Sequence, residues 1–193
     1  TGIEAAVAAR SLSELKTERE AAEKAYGSLG EALKRDAALL EDLELALLAG
    51  KIAAYAQGFA VMSGASIDYR WHLPLPEIAR IWRAGCIIRS QFLSTIADAF
   101  EGADKETNLL MVPAFVEMMR EAQAGLRRVV ARAAVAGLPV PALSSALSYF
   151  DMYRQGRSTA NLIQGQRDYF GAHTFERIDK PGAFNGPWGI SPI

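Results

Sequence analysis

Between Met111 and Ala136 the chain repeats one pattern without interruption. Val112, Phe115, Met119, Ala122, Leu126, Val129 and Ala133 recur in alternating steps of three and four. That spacing follows the 3.6-residue turn of an α-helix and puts all seven on one apolar stripe. A stripe of this length must be buried. A bundle core would do it, and so would a helix of a second subunit; the sequence leaves both open. Gly137 stops the pattern and Pro139 prevents its return.

Helical period recurs through most of the chain. Residues 3–29 read as one helix, with strong helix formers at Ala5, Ala6, Ala8, Ala9, Ala21 and Ala22 and a solvated middle marked by Glu14, Lys16, Glu18 and Glu20. Gly27 and Gly30 break it. A second helix is expected from Leu39 to Ser63, its buried stripe made by Leu48, Ile52, Tyr55, Phe59 and Met62. Gly58 inside it costs up to ~1 kcal/mol relative to alanine, which a close helix–helix contact would justify. Ser66 to Pro76 is a connection, because Pro74 and Pro76 forbid a continuous helix. Tyr69, Trp71 and His72 can pack on the surface there, with His72 in a structural role. Helix resumes at Glu77, with Ile81, Gly85, Ile88, Phe92 and Ile96 on one face and Arg83 and Arg89 beside it. Pro141 suits the first turn of a helix carrying Leu143, Leu147, Phe150 and Tyr153, which Gly156 ends. Ser158 or Thr159 can cap a last helix running through Leu162, Ile163 and Gln166 toward Tyr169. The fold class expected is all-α: a multi-helix domain followed by an extended Gly/Pro-rich tail.

A chain of 193 residues, half of them apolar, makes one domain or at most two small ones. The net charge of -1 argues against nucleic acid, which requires a basic face. The single cysteine, Cys86, lies in an apolar run and reads as a buried inert thiol; it fits a reducing compartment. Two histidines and one cysteine make a structural zinc site an unpromising reading, and no metal is expected. No stretch approaches the ~20 uninterrupted apolar residues of a bilayer span. No basic segment leads into an apolar core at the N-terminus, so neither membrane nor signal peptide is expected. The chain starts at Thr1 rather than methionine, which reads as a truncated chain.

One short stretch concentrates the chemistry. Gln166-Arg167-Asp168-Tyr169-Phe170-Gly171-Ala172-His173-Thr174 lies where helical pattern gives way to the tail. Arginine offers a planar fork of donors suited to phosphate or carboxylate. Histidine adds a donor that titrates near neutrality. The pair reads as a clamp for a small anion; a helix-capping arginine and a carbonyl-bonded histidine are the plainer alternative. Arg10 is a second candidate cation, set among small alanines that leave room for a ligand. After Gly171, glycines 182, 186 and 189 alternate with prolines 181, 187 and 192, yet Phe184, Trp188 and Ile193 are bulky and apolar. A disordered tail tends to lack such groups, so an arm that docks its aromatics is expected. Docking would also fix Arg167 and His173. No GxGxxG follows a strand, and no nucleophile–histidine–carboxylate set is present.

The nine-residue run from Gln166 to Thr174 resembles the C-terminal segment of decarboxylating 6-phosphogluconate dehydrogenases. Lys51-Ile52-Ala53-Ala54-Tyr55-Ala56-Gln57-Gly58-Phe59, Ile81-Trp82-Arg83-Ala84-Gly85-Cys86-Ile87-Ile88-Arg89-Ser90 and Asn161-Leu162-Ile163-Gln164 resemble the same family in the same order. The resemblance implies an all-helical C-terminal domain over 1–176 and a tail over 177–193 that docks on a partner subunit of a homodimer. It implies a cytoplasmic enzyme of the pentose phosphate pathway and gluconate utilization, which uses NADP to convert 6-phosphogluconate to ribulose 5-phosphate and carbon dioxide. NADP would be bound mainly by an N-terminal domain upstream of this chain. Val7-Ala8-Ala9-Arg10-Ser11-Leu12-Ser13-Glu14-Leu15-Lys16 resembles the family segment whose arginine contacts substrate phosphate. Arg167 and His173 match the family's arginine and histidine that enter the partner's active site. The implied substrate-binding set is therefore Arg10 of one subunit with Arg167 and His173 of the other.

No position matches the family's catalytic lysine and glutamate or its Lys-Trp-Thr segment, so no catalytic residue is assigned and the chain alone is expected to be inactive. Ala84 replaces the commoner first glycine of the Trp-Arg-Gly-Gly motif, and the tail lacks the usual polar pattern between Phe184 and Trp188. Two alternatives stand beside this reading: a free-standing helical dimerisation or phosphosugar-binding module without catalysis, and a related hydroxyacid dehydrogenase with another substrate. The apolar stripes on 48–62 and 112–133, with the arm, are expected to need a partner surface.

Overall fold

Asp36 starts the longest helix: its side chain accepts the Leu39 N–H at 2.8 Å, a typical N-cap. In the computed structural model, which describes residues 2–28, 32–85, 92–102 and 107–188, eight helices follow one another along the chain. They are α1 (Gly2–Glu14), α2 (Lys16–Tyr26), α3 (Ala37–Asp68), α4 (Leu75–Gly85), α5 (Phe92–Glu101), α6 (Pro113–Val135), α7 (Pro141–Tyr153) and α8 (Ala160–Gly171). A 3-10 turn at Leu109–Met111 leads into α6. Two short strands, β1 (Phe175–Glu176) and β2 (Ala183–Phe184), form an antiparallel pair. The fold is all-α, and the chain divides into two compact units, Thr1–Tyr149 and Phe150–Ile193.

The first unit is built on α3 packed along α6. All seven residues of the 112–133 stripe are buried, so it faces α3 and the core of its own chain. The expectation that this stripe needs a partner surface is therefore corrected. On α3 the buried face is shifted from the expected one. Ile52 and Phe59 are buried, but Leu48, Tyr55 and Met62 are only partly covered. The contact runs instead through Ala46, Ala49, Ala53 and Ala56. Small side chains let the two helices approach closely. Gly125 of α6 marks the closest point: a Cβ there would lie 2.5 Å from Leu45 Cβ and 3.1 Å from the Asp42 carbonyl oxygen. Gly58 has nothing within 4 Å of where its Cβ would be, so the close contact expected there belongs to Gly125.

An ion pair between the buried Asp42 and the half-exposed Arg128 ties the same helices. Arg128 Nε and Nη2 donate to Asp42 Oδ1 at 2.8 and 2.6 Å. The Arg128 hydrogen bond outweighs the opposing effect of burial and holds the Asp42 carboxyl below its ordinary range. Beyond this contact, α4 and α5 pack on each other, and Phe59 gathers Trp82 and Phe100 at ring separations of 5.6 and 4.9 Å. Ile81, expected on the buried face of α4, is 64% exposed; Leu75 and Ala79 are buried instead. Gly30, Cys86, Ile88, Arg89, Gly189, Pro192 and Ile193 lie outside the described residues.

The single helix expected over 3–29 is two. It breaks at Leu15, where the backbone leaves helical geometry (φ -83°, ψ 54°). Side chains satisfy the break: Ser13 Oγ donates to the Arg10 carbonyl at 2.6 Å, and Arg19 Nη2 donates to the Ser13 carbonyl at 3.0 Å. Neither α1 nor α2 has a buried residue. Ile3, Val7 and Leu12 of α1, and Leu40, Leu43 and Leu47 of α3, remain exposed. By length and composition alone α3 could cross a bilayer. Its buried face is occupied by packing on α6.

Gly137 (φ 69°) closes α6 as expected: the Leu138 N–H reaches back to the Ala133 carbonyl at 2.8 Å. Pro113 and Pro141 take the first positions of α6 and α7. In the second unit, β1 pairs Phe175 with Phe184 and Glu176 with Ala183, across the expected boundary between 176 and 177.

Candidate anion-binding site

Helix α8 carries Arg167, and His173 lies two residues beyond its end. Ser158 Oγ accepts the Ala160 N–H at 3.2 Å, whereas Thr159 makes no side-chain cap. At the C-terminal end, Ala172 adopts a left-handed conformation (φ 51°, ψ 39°) and its N–H donates to the Asp168 carbonyl at 2.8 Å. Thr174 is also left-handed, at φ 60°. A β-branched residue rarely adopts that region, so surrounding bonds must hold it there.

The turning residue is thus Ala172, not the neighbouring Gly171. Gly171 has a different task. A Cβ at Gly171 would lie 2.8 Å from His173 Nε2 and 2.9 Å from Cδ2. The imidazole folds back over the glycine, which leaves it room.

Arg167 and His173 are both exposed, and both belong to the second unit. Gln164 connects them. Its Oε1 accepts from Arg167 Nη1 at 3.4 Å, and its Nε2 donates to the carbonyl of Thr174, next to His173. Leu162 and Ile163, through which the last helix runs as expected, are 79% and 56% exposed and do not anchor it.

Asp168 anchors it instead. This carboxylate is 2% exposed and accepts three hydrogen bonds. Oδ1 takes the Thr174 N–H at 2.8 Å; Oδ2 takes the Gly186 N–H at 2.8 Å and Trp188 Nε1–H at 2.7 Å. Burial alone would push the carboxyl up. The Gly186, Trp188 and Thr174 donors, with the nearby His173, outweigh burial and bring it below the ordinary range. The indole of Trp188 also meets Tyr169 edge-on at 5.9 Å. The tail up to Trp188 therefore docks on α8 of its own unit. Sequence reasoning passed over Asp168, although one signal was present. A carboxylate in the last turn of a helix faces the unfavourable end of the dipole, so something else must hold it there.

Arg10 lies in the first unit, on α1. It is exposed, with Nε 3.7 Å from Glu14 Oε1. The room beside its alanine neighbours is an apolar groove of about 720 Å³, lined by Ala5, Ala8, Ala9 and Leu12 with Arg19; Arg10 is not among its lining residues. Among the described residues no three His, Cys, Asp or Glu side chains are grouped to hold a metal ion.

Arg167, His173 and the ordered turn between them form an exposed donor pair on a fixed base. The profile of the family described as "6-phosphogluconate dehydrogenase, C-terminal domain" matches residues 1–188. The chain belongs to that family. A 6-phosphogluconate dehydrogenase of Oryza sativa subsp. japonica (decarboxylating 1) is 47% identical over 188 residues, 96% of this chain and 39% of that protein. The decarboxylating 6-phosphogluconate dehydrogenase of Escherichia coli K12 is 48% identical over 183 residues, 94% of this chain and 39% of its own. The Plasmodium falciparum 6-phosphogluconate dehydrogenase, whose structures include complexes with its cofactor NADP+ and its substrate 6-phosphogluconate, superposes with a TM-score of 0.86 at 37% identity. That match covers 95% of this chain and 40% of the Plasmodium chain. The chain thus spans about two fifths of the length of the 6-phosphogluconate dehydrogenases it matches.

Proposed function

We propose that this chain is the substrate-binding and dimerisation domain of an NADP-dependent, decarboxylating 6-phosphogluconate dehydrogenase. The parent enzyme oxidises 6-phosphogluconate and releases carbon dioxide and ribulose 5-phosphate, in the cytoplasm. The chain's own contribution is to bind the phosphate. The Arg167 guanidinium is permanently charged and can give two parallel N–H bonds to a phosphate. His173 adds a third donor. Because α8 presents its C-terminal end here, the dipole does not help an anion. Binding at this helix end rests on side chains and not on the dipole, which is why their placement matters. The observation that carries the reading is the Asp168-held turn that presents Arg167 and His173 to solvent from one helix end, within a chain matched to this family over residues 1–188.

Arg10 completes the cradle from the other subunit of a homodimer. The uncovered apolar faces of α1 and α3 support such a partner. Among the described residues the short strands β1 and β2 lead into no glycine-rich turn and helix of the dinucleotide-binding type. We assign NADP to the length of the relatives that this chain does not span, and no chemical step is drawn through it.

The test is substrate affinity in the full-length enzyme. A charged hydrogen bond contributes about 1.5–3 kcal/mol, so Arg167→Ala should weaken 6-phosphogluconate binding by roughly 10- to 150-fold. Unchanged affinity in an Arg167→Ala, His173→Ala double variant would overturn the reading.

A further inference from the structure

We propose that Asp168 is a positioning residue of the substrate site, which holds the His173 turn and the tail on helix α8 so that Arg167 and His173 present their donors together. The proposal rests on the reading of those two residues as phosphate ligands.

Asp168 sits between them in sequence and beneath them in the fold. Its three donors come from two separate segments. Thr174 follows His173 directly, whereas Gly186 and Trp188 belong to the tail beyond the hairpin. One buried side chain thus fixes the turn and the arm at once. Thr174 keeps its left-handed backbone with its N–H on Asp168 Oδ1. The indole approaches because Gly186 has no Cβ; one there would collide with the Trp188 ring. Gln164, which touches both Arg167 and the Thr174 carbonyl, depends on the same turn.

The two carboxylate oxygens divide the work, and this makes the proposal testable. An asparagine has one acceptor oxygen. It is best placed facing the two donors of Gly186 and Trp188, which turns its NH2 toward the Thr174 N–H. Two donors then face each other, and the His173 turn is released while the tail stays docked. Trp188→Phe does the converse: it keeps the carboxylate and removes one tail bond.

The experiment uses the full-length dehydrogenase with Asp168→Asn, His173→Ala, their combination, Arg167→Ala and Trp188→Phe. KM for 6-phosphogluconate, KM for NADP and kcat are measured for each. Asp168→Asn is expected to raise KM for 6-phosphogluconate about tenfold, with kcat and KM for NADP within about twofold of wild type. Combined with His173→Ala it should add nearly nothing, because it acts through that residue. Trp188→Phe should raise the same KM at least twofold, which keeps the test open if Asp168→Asn fails to fold. A lower melting temperature with unchanged KM in both variants would overturn the proposal, as would effects of Asp168→Asn and His173→Ala that multiply. If Arg167→Ala and His173→Ala themselves leave KM unchanged, the phosphate-ligand reading falls and this proposal falls with it. A rise for those two without one for Asp168→Asn and Trp188→Phe overturns the positioning role alone.

Discussion

Alanine at Gly125 and alanine at Gly58 should move stability in opposite directions. Both glycines lie inside long helices, so alanine gains up to ~1 kcal/mol of helix propensity at each. Their surroundings differ. At Gly58 the added methyl meets nothing within 4 Å, and the gain should be realised. At Gly125 it would lie 2.5 Å from Leu45 Cβ and 3.1 Å from the Asp42 carbonyl oxygen. Carbon atoms normally pack at about 3.5–4.0 Å. Leu45 Cβ is attached directly to the α3 backbone, so no side-chain rotation relieves the overlap. The helices must separate by roughly 1 Å, and overpacking of this kind costs about 1–3 kcal/mol. Moving them apart also strains the Arg128–Asp42 pair. The net effect of Gly125→Ala is a loss of about 1–2 kcal/mol, against a gain of up to ~1 kcal/mol for Gly58→Ala. For a chain of this size 1 kcal/mol shifts the melting point by about 2–4 °C. Thermal unfolding followed by circular dichroism should therefore separate the variants by several degrees. If Gly125→Ala melts at or above Gly58→Ala, the close packing of α3 on α6 is refuted.

Gly171→Ala should push the His173 ring off the helix end without disturbing the core, so it should weaken 6-phosphogluconate binding in the full-length enzyme while leaving the melting temperature nearly unchanged. Asp42 and Asp168 both have depressed folded-state pKa values, against an ordinary value of 3.8. The stability they contribute is complete above that value and is lost as pH falls through their lower folded values. Urea unfolding between pH 5 and pH 2 should show this loss, and Asp42→Asn should flatten it. Phe115→Ala, in the fully buried stripe, should cost about 3–5 kcal/mol, whereas Met62→Ala, on the partly covered side of α3, should cost clearly less; equal losses would contradict the assigned face.

The sequence made the helices legible where a single stripe met a single partner. The α6 stripe reads directly because large residues mark it, and Gly137 sets its C-terminal border. The α3 face was misread because its contact is made by alanines. These carry little hydrophobic signal, while the larger Leu48, Tyr55 and Met62 drew attention to a face the fold only partly covers. The break at Leu15 has no glycine or proline to announce it; serine and arginine side chains bonded to backbone carbonyls hold it. At the site, the types of Arg167 and His173 were informative because few residues suit a phosphate. Asp168 was not, because its role depends on Gly186 and Trp188, far along the chain. Periodicity cannot bring such residues together. Only the folded tail does.

The most direct test of the shared phosphate cradle is activity in mixed dimers. Full-length subunits carrying Arg10→Ala are co-expressed with differently tagged subunits carrying Arg167→Ala, and the doubly tagged heterodimer is isolated. If Arg10 and Arg167 meet across the subunit boundary, one of its two sites carries both substitutions and the other carries none. The heterodimer should then show about half of wild-type activity with a wild-type KM for 6-phosphogluconate, although each parent homodimer binds substrate poorly. A heterodimer no better than its parents, with no site of wild-type KM, would contradict the account.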